Sequence, residues 1–394
     1  MSGVRRIPLS VLDLVPISSG SNAREALCNS LDLARSAEAF GFLRYWVAEH
    51  HLAPGVASSA PGVVISLVAG ATSHIRVGSG AVQMGHHTPL SVVEQFGILD
   101  AVYPGRIDLG LGRSIGRRPR SDAPADAPAP APAPAGEAAG PRDTPSDGPH
   151  VTRRGLVVPG RFDPGELLRS PRFALHASLL LLPGARTPDY AEQVDDVLAL
   201  LRGEYRSADG LDAHAVPGEG ADVEVWILGS SGGASAEVAG RNGLRFAGNY
   251  HISPATVLDS VAAYRAAFQP SVVLDRPHVM VSADVVVAPT AGEARRLAAS
   301  YGLWVRSIRS GNGAMKFPDP DQARAWSPED RALVADRVDT QFVGSPKTVA
   351  AQLEVLAAET GADELLVTTI THDHADRVRS YELLAHEWDD RGRS

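Results

Sequence analysis

Short apolar runs alternate with longer amphipathic segments along most of the chain. The runs 7–14 and 43–49 are typical of buried strands, and segment 23–42 between them repeats apolar residues with helical spacing before a stop at Gly41. Strands that alternate with helices predict parallel βαβ units. The predicted strands are residues 7–14, 43–49, 75–84, 106–112, 223–229, 244–249, 279–288 and 362–370.

The segments between these strands carry helix signals. Pro61 stands in the first turn of the second predicted helix, and Pro104-Gly105 ends the third. Repeated strand–helix units predict a closed (β/α)8 TIM barrel with insertions. A doubly wound open sheet is the alternative, although no glycine fingerprint follows the first strand. The predicted helices are residues 23–42, 61–74, 88–105, 188–203, 233–243, 254–268, 291–308, 348–361 and 374–388.

One segment interrupts this rhythm. Residues 122–149 include the alternating stretch "APADAPAPAPAPAG". Proline lacks an amide donor and restricts the residue before it, so this stretch is expected to be extended, solvated and disordered. We interpret 114–185 as one insertion after the fourth strand, within a single barrel domain that spans 1–394. A neutral surface insertion is the simpler interpretation of its role.

Composition and charge narrow the function classes. Lys plus Arg number 37 against 46 Asp plus Glu, a formal charge of −9, so no basic nucleic-acid surface is expected. No apolar run is long enough for a membrane span, and the first residues lack a signal-peptide core. Cys28 is the single cysteine, which excludes internal disulfides and thiolate metal clusters. A cytoplasmic protein is therefore expected.

Polar residues collect where the predicted strands end, which is the working face of such a barrel. In "VWILGSSGG" the fifth strand runs through Gly229, Ser230, Ser231 and Gly232 into a helix. Helix-start amides and the helix dipole favour a phosphate there, whereas serine N-capping of the helix is the alternative. Arg113 follows the fourth strand, and a guanidinium suits a phosphate dianion. The pattern indicates a phosphorylated cofactor or substrate.

The run Glu49-His50-His51 follows the second strand. Adjacent strand residues point to opposite sides, so the two histidines are poorly placed to share a metal, and HExxH is absent. His372 and His374 form an H-D-H run that reads better as loop residues than as ligands. No metal site is predicted. His50 could carry protons near neutral pH, or it could be a hydrogen-bonded structural residue.

Four stretches together resemble the bacterial-luciferase-like, flavin-dependent monooxygenase family. They occur in family order and cover most of the chain outside 114–185. The resemblance implies a (β/α)8 barrel that binds reduced flavin at its mouth, usually FMN supplied by a separate flavin reductase, while a sister branch uses the deazaflavin F420. The stretches are "EAFGFLRYWVAEHH", "IRVGSGAVQMGHHTPLSVVEQFGILDAVYPGRIDLGLGRS", "VWILGSSGGASAEVAGRNGLRFAG" and "FVGSP".

The same resemblance implies roles for individual residues. The first histidine of the "EHH" run, His50, inherits the acid–base role, and the small residues of the third strand lie against the flavin, often with a cis peptide that corresponds to Gly80–Ala81. The resemblance further implies a small organic substrate, O2 as co-substrate, and a homodimer, since dimers are common among relatives. The implied cofactor-binding residues are Gly80, Ala81, Val82, Arg113, Gly229, Ser230, Ser231 and Gly232.

Two departures from the family pattern shape the expected function. The luciferase subunit has a reactive cysteine at the position of Gly112, so light emission from a long-chain aldehyde is not expected. Gly233 and Ala234 stand where many relatives have an aromatic residue. The expected function is an FMN-dependent monooxygenase. The alternatives are an F420-dependent hydride-transfer oxidoreductase and a flavin-binding protein without catalysis.

Overall fold

Eight parallel strands close into a barrel, which confirms the predicted fold class. The computed structural model describes residues 7–113, 148–182, 185, 187–323 and 327–392. Around the barrel the strand order is β1-β2-β3-β5-β8-β9-β10-β12, and β12 pairs with β1. The strands are β1 Leu9–Asp13, β2 Arg44–Val47, β3 Arg76–Ser79, β4 Val82–Gln83, β5 Ile107–Gly112, β6 His150–Val151, β7 Val157–Val158, β8 Glu224–Gly229, β9 Arg245–Asn249, β10 Val279–Val287, β11 Phe342–Gly344 and β12 Glu364–Thr368.

Helices cover the outside of the barrel and match the predicted ones closely. The predicted helix 291–308 is two helices, α9 and α10, and the helices α4, α5 and α11 are additional to the prediction. The helices are α1 Ala23–Ala39, α2 Pro61–Ala71, α3 Pro89–Val102, α4 Gly165–Leu168, α5 Pro171–Leu180, α6 Tyr190–Arg202, α7 Ala234–Arg241, α8 Val257–Ala267, α9 Ala291–Leu297, α10 Tyr301–Ser307, α11 Pro328–Val338, α12 Pro346–Thr360 and α13 His374–Arg391.

The predicted strand 75–84 is two pieces, β3 and β4, because the chain leaves β2 after residue 79 and β4 pairs with β5 instead. The Pro/Ala-rich prediction falls largely outside the described residues, since 114–147 is not among them. Residues 150–185 contain the hairpin β6–β7 and helices α4 and α5. In the described part of the chain no helix is long and apolar enough to cross a membrane.

The barrel interior is closed at its amino-terminal end by charged groups. Arg44 of β2 contacts Asp108 and Glu224 at 2.8 Å each and Glu364 at 3.0 Å. All four residues point inward, since they alternate with the outward residues of their strands. Buried charges are tolerated when paired in this way. These paired charges fill the barrel interior at this end.

Aromatic residues form the next layer inside the barrel. Trp46 and Trp226 lie edge to face with ring centroids 5.2 Å apart, and Leu12, Met280 and Leu366 pack in the same buried cluster. Edge-to-face pairs of this kind contribute about 0.5–1.5 kcal/mol beyond their buried area. The layer forms a dry floor beneath the residues at the carboxyl ends of the strands.

Candidate active site

His50 lies three residues beyond β2, on the inward side of the barrel mouth. Its backbone N–H donates to the Ser58 carbonyl oxygen at 2.7 Å. Its side-chain Nδ1 is buried and has no hydrogen-bond partner among the described residues. Burial lowers the pKa of His50 to about 4, with Glu49 opposing and His51 adding to the effect. The expectation of a near-neutral pKa is corrected, because the barrel wall removes water from the ring.

Glu49 points to the other side of the strand and holds a different set of groups. Its carboxylate accepts hydrogen bonds from His51 Nε2 at 2.7 Å, His87 Nε2 at 3.0 Å and the Gln83 amide at 2.8 Å. Burial alone would raise the pKa of Glu49, but these bonds lower it to about 2. Glu49 therefore holds the two histidines that flank the mouth and the end of β4, and it does not bond His50.

The flanking histidines pack as a group. The His51 ring centroid lies 5.7 Å from that of His86 and 6.3 Å from that of His176, which belongs to α5. These contacts bring the insertion against the barrel mouth. Within the ranges described, no group of three or more His, Cys, Asp or Glu side chains is arranged to hold a metal ion.

The junction of β3 and β4 comes next around the barrel. The Gly80–Ala81 peptide bond is cis, as the resemblance implied. Gly80 faces inward, and a Cβ there would lie 2.7 Å from Leu12 Cδ1 and 3.3 Å from Trp46 Cε3. Val82 is buried and pairs with Leu111 of β5. Any larger residue at Gly80 would therefore clash with Leu12, which belongs to the same buried cluster as the two tryptophans.

The predicted phosphate residues lie at the ends of two adjacent strands. Gly112 of β5 pairs with Leu228 of β8, which brings Arg113 alongside Gly229. Ser230 and Ser231, which follow β8, are exposed, and so is the Arg113 side chain. The register thus brings the guanidinium and the serine–glycine turn to one part of the rim.

The turn itself differs from a capped helix start. Helix α7 begins after its N-cap residue Gly233, and no side chain in the described part of the chain caps it. Ser230 Oγ instead accepts from Asn249 Nδ2 at 3.2 Å. The serine-capping alternative is therefore wrong for this helix. Ser231 and Gly232 lead into amides that are left available to an anion.

These sequence-predicted residues form a continuous arc. His50, the Gly80–Val82 junction, Arg113 and Ser230 follow β2, β3, β5 and β8, which are consecutive in the barrel order. The arc brings an imidazole to one end and a phosphate-type site to the other. The small residues Gly80 and Ala81 lie between these two ends.

Sequence reasoning missed the polar groups on the opposite side of the mouth. His251 Nδ1 lies 2.5 Å from Ser282 Oγ, and both residues are buried. Asp284 accepts from Gln341 Nε2 at 2.9 Å, and burial raises its pKa. The signal was present in the strand "VMVSADVVV", whose Ser282 and Asp284 occupy alternate, inward positions between apolar residues.

Arg337 of α11 stands behind this second group. Its Nη2 donates to the Tyr301 hydroxyl oxygen at 2.8 Å. Its charge lowers the pKa of His251, for which burial is the larger cause. A sequence signal for α11 existed, since Ser327 precedes Pro328 and its hydroxyl accepts from the Asp330 amide as an N-cap.

Comparison with known proteins identifies the relatives of this chain. The profile of the family described as luciferase-like monooxygenase matches residues 7–130 and 173–364. The chain is 38% identical over 386 residues to the uncharacterized protein YvbT of Bacillus subtilis (strain 168), covering 97% of each chain. It is 34% identical over 382 residues to the luciferase-like monooxygenase of Escherichia coli (strain K12), covering 96% of each.

Solved structures give the same picture. Apo-MsnO8 superimposes with a TM-score of 0.74 at 30% identity, covering 97% of this chain and 98% of that one. More distant structures share the fold. They include the FMN complex of the oxygenating constituent of 3,6-diketocamphane monooxygenase from Pseudomonas putida, at a TM-score of 0.60 and 18% identity. An F420-dependent secondary alcohol dehydrogenase has a TM-score of 0.58 at 13% identity.

Proposed function

Since the chain belongs to the luciferase-like monooxygenase family, we propose that it is an FMN-dependent monooxygenase that uses O2 to oxidise a small organic substrate. A separate flavin reductase would supply the reduced FMN, and the cytoplasm would be the site of both enzymes. The proposal includes a single barrel domain interrupted by the insertion within 114–185.

One observation carries this proposal: the exposed Arg113 lies beside the serine–glycine turn that opens α7. Gly112 pairs with Leu228, so the guanidinium and the turn share one part of the rim. The first amides of α7 have no side-chain cap within the described residues. A phosphate dianion fits this set, because it would accept bonds from helix amides and from a guanidinium.

The residues between the two ends of the arc fit a flat ring. Gly80 packs closely on Leu12 and Trp46, so the backbone of the Gly80–Ala81 junction would lie against the ring. His50 brings an imidazole to one end of this arc, and its buried Nδ1 has no hydrogen-bond partner among the described residues. When bound, reduced flavin would supply the activation of O2.

The chain's own contribution is then proton control and water exclusion. His50 has a pKa lowered to about 4 by burial, so the ring is neutral at physiological pH. A neutral imidazole can accept a proton or a hydrogen bond from substrate at this position. The aromatic floor and the packed histidines His51, His86 and His176 limit access of bulk water.

The first prediction concerns Arg113→Ala. The variant should bind reduced FMN about ten- to a hundredfold more weakly, because a charge-assisted phosphate contact contributes about 1.5–3 kcal/mol. Affinity is measured by anaerobic titration of reduced FMN. Arg113 is exposed, so the melting temperature should stay unchanged. Arg172→Ala, which removes another exposed arginine, in helix α5 of the insertion, is the matched control and should retain affinity. An unchanged FMN affinity in Arg113→Ala would remove this residue from the site.

A second measurement separates the two cofactor classes. Oxygen consumption with reduced FMN and a substrate panel tests the monooxygenase, and F420 reduction by alcohols tests hydride transfer. The proposal predicts substrate-dependent O2 uptake with FMN above the free-flavin background and no F420 reduction. F420 reduction without O2 uptake would support the hydride-transfer alternative. Turnover at the free-flavin background with tight FMN binding would support the non-catalytic one.

A homodimer completes the proposal, supported by an apolar face on neighbouring helices. Val63 and Leu67 of α2 and Ile98 and Val102 of α3 are each about half exposed or more. Contiguous exposed apolar residues of this kind usually mark an interface, and a face that meets its own copy is the commonest arrangement. A second copy of the chain is the proposed occupant.

The third prediction tests that face. Ile98→Glu should convert the dimer to a monomer, since a charge buried without a partner opposes association. Light scattering coupled to size-exclusion chromatography measures the mass. Val272→Glu, on an exposed loop, adds the same charge elsewhere and should leave the dimer intact. A wild-type monomer, or an Ile98→Glu dimer of unchanged stability, would contradict the proposed interface.

A further inference from the structure

A second imidazole lies across the barrel mouth from His50. In the strand order, β2 and β9 are separated by three strands in each direction, so their carboxyl ends lie on opposite sides. His50 is three residues beyond β2, and His251 is two residues beyond β9. Burial, Arg337 and His50 all lower the pKa of His251. A ligand at the mouth would lie between them.

The hydrogen bonds behind His251 determine which ring nitrogen carries the proton. Ser282 Oγ donates to the Gly248 carbonyl oxygen at 3.3 Å, which uses its one proton. If Ser282 donates its proton there, the His251 Nδ1 atom, which lies 2.5 Å from Ser282 Oγ, is the donor in the second contact. In the neutral ring this leaves Nε2 as an acceptor with a free lone pair.

The Nε2 atom is open to a ligand. The imidazole is buried as a whole, yet Nε2 has no hydrogen-bond partner in the described ranges and does not belong to the fully buried unpartnered atoms. Burial lowers the pKa of His251 to about 3, so the ring stays neutral under physiological conditions. A neutral acceptor in a water-poor mouth prefers a ligand that brings its own hydrogen-bond donor.

We propose that His251 determines substrate specificity, its Nε2 accepting a hydrogen bond from an O–H or N–H group of the substrate held between it and His50. The proposal rests on the proposed function, since it concerns the substrate of that site. It assigns the substrate to the class of small hydroxyl- or N–H-bearing molecules. Analogues in which this hydrogen is replaced by methyl would leave Nε2 unpaired.

The test uses the full-length protein and two probe pairs that differ only in the donor. Phenol is compared with anisole, and acetanilide with N-methylacetanilide, by calorimetric titration with and without reduced FMN under anaerobic conditions. Wild type should bind the donor member of at least one pair about tenfold more tightly, the usual scale of one buried hydrogen bond. Equal binding within both pairs, or binding of neither pair, would overturn the proposal.

Two variants of His251 distinguish the loss of the Nε2 hydrogen-bond acceptor from the loss of side-chain packing. In His251→Asn the shorter amide can still reach Ser282 but has no atom at the Nε2 position. The two members of each probe pair should then bind with about equal affinity. In His251→Gln the longer side chain can bring its carbonyl oxygen to the Nε2 position and should restore part of the preference. Melting temperatures show that both variants fold. Unchanged preference in a folded His251→Asn would overturn the proposal.

A ligand-independent measurement tests the tautomer. Nitrogen NMR of 15N-histidine-labelled protein, with His251 assigned by its loss in His251→Asn, should show the proton on Nδ1. A proton on Nε2 would overturn the inference. Failure of the proposed function looks different: reduced FMN would not bind, while the probe preference and its dependence on His251 would remain. If FMN binds and the preference is absent, only the specificity inference fails.

Discussion

Replacing His50 with alanine is expected to lower substrate oxygenation by about 10²–10⁴-fold, the usual scale for one general acid or base. The ring is neutral, since burial lowers its pKa to about 4, and its Nδ1 has no partner among the described residues. Removal leaves the phosphate-type residues Arg113 and Ser230 untouched, so FMN affinity should be retained. The fraction of consumed O2 released as hydrogen peroxide should rise, because unproductive decay replaces substrate oxidation.

The pH dependence sharpens this prediction. A group with a pKa near 4 is deprotonated throughout the range from about pH 6 to 8, so the wild-type rate should show no His50 titration there. His50→Gln keeps much of the side-chain volume and separates lost packing from lost proton transfer. A His50→Ala enzyme with normal rate and normal coupling would exclude His50 from catalysis.

The Glu49→Gln variant is expected to lose roughly 3 kcal/mol of unfolding free energy at neutral pH, the equivalent of lowering the pKa from 4.5 to about 2. The carboxylate accepts three hydrogen bonds, from His51, His87 and the Gln83 amide. The glutamine side chain has one oxygen in place of two. Its NH2 group would face hydrogen-bond donors and cannot accept from them. β4 should loosen, and reduced FMN should bind more weakly as a consequence.

The pH dependence of this loss has a definite sign. A carboxyl group whose pKa is depressed in the folded state stabilises the protein above its unfolded pKa, and the stabilisation is lost as the pH falls. The gap between wild type and Glu49→Gln should therefore shrink from pH 7 toward pH 3, as measured by urea denaturation. Asp209→Asn, at an exposed loop residue, is the control and should change little. A gap that is absent at pH 7, or constant with pH, would refute this role for Glu49.

The alternation of apolar runs and helical segments along the chain was sufficient to predict the barrel. Short apolar runs with helices between them predicted every barrel strand, since the strands of a parallel barrel are buried on both faces. Helices α4 and α5 were not predicted, because the apolar residues in 150–185 show no clear period. Helix α11 was not predicted, although Ser327-Pro328 is a helix start signal that the sequence contains.

Only part of the candidate site could be predicted from the sequence. Arg113, His50 and the serine–glycine turn stand directly after predicted strands, so barrel topology alone puts them at the mouth. The partners of Glu49 and the His251–Ser282 contact depend on packing between strands distant in sequence. The pKa of His50 depends on burial, which no local pattern reveals. The positions of these residues at the mouth could be predicted from the sequence, whereas the protonation state of His50 could not.

The central claim is that the rim formed by Arg113 and the turn at Ser230 binds the phosphate of reduced FMN. An anaerobic titration of reduced FMN into wild type and Arg113→Ala, followed by flavin fluorescence and repeated with reduced F420, tests it most directly. The account predicts one FMN per chain, affinity lowered about ten- to a hundredfold in Arg113→Ala, and weaker binding of F420 to wild type. No saturable binding of reduced FMN, or preferential binding of F420, would contradict it.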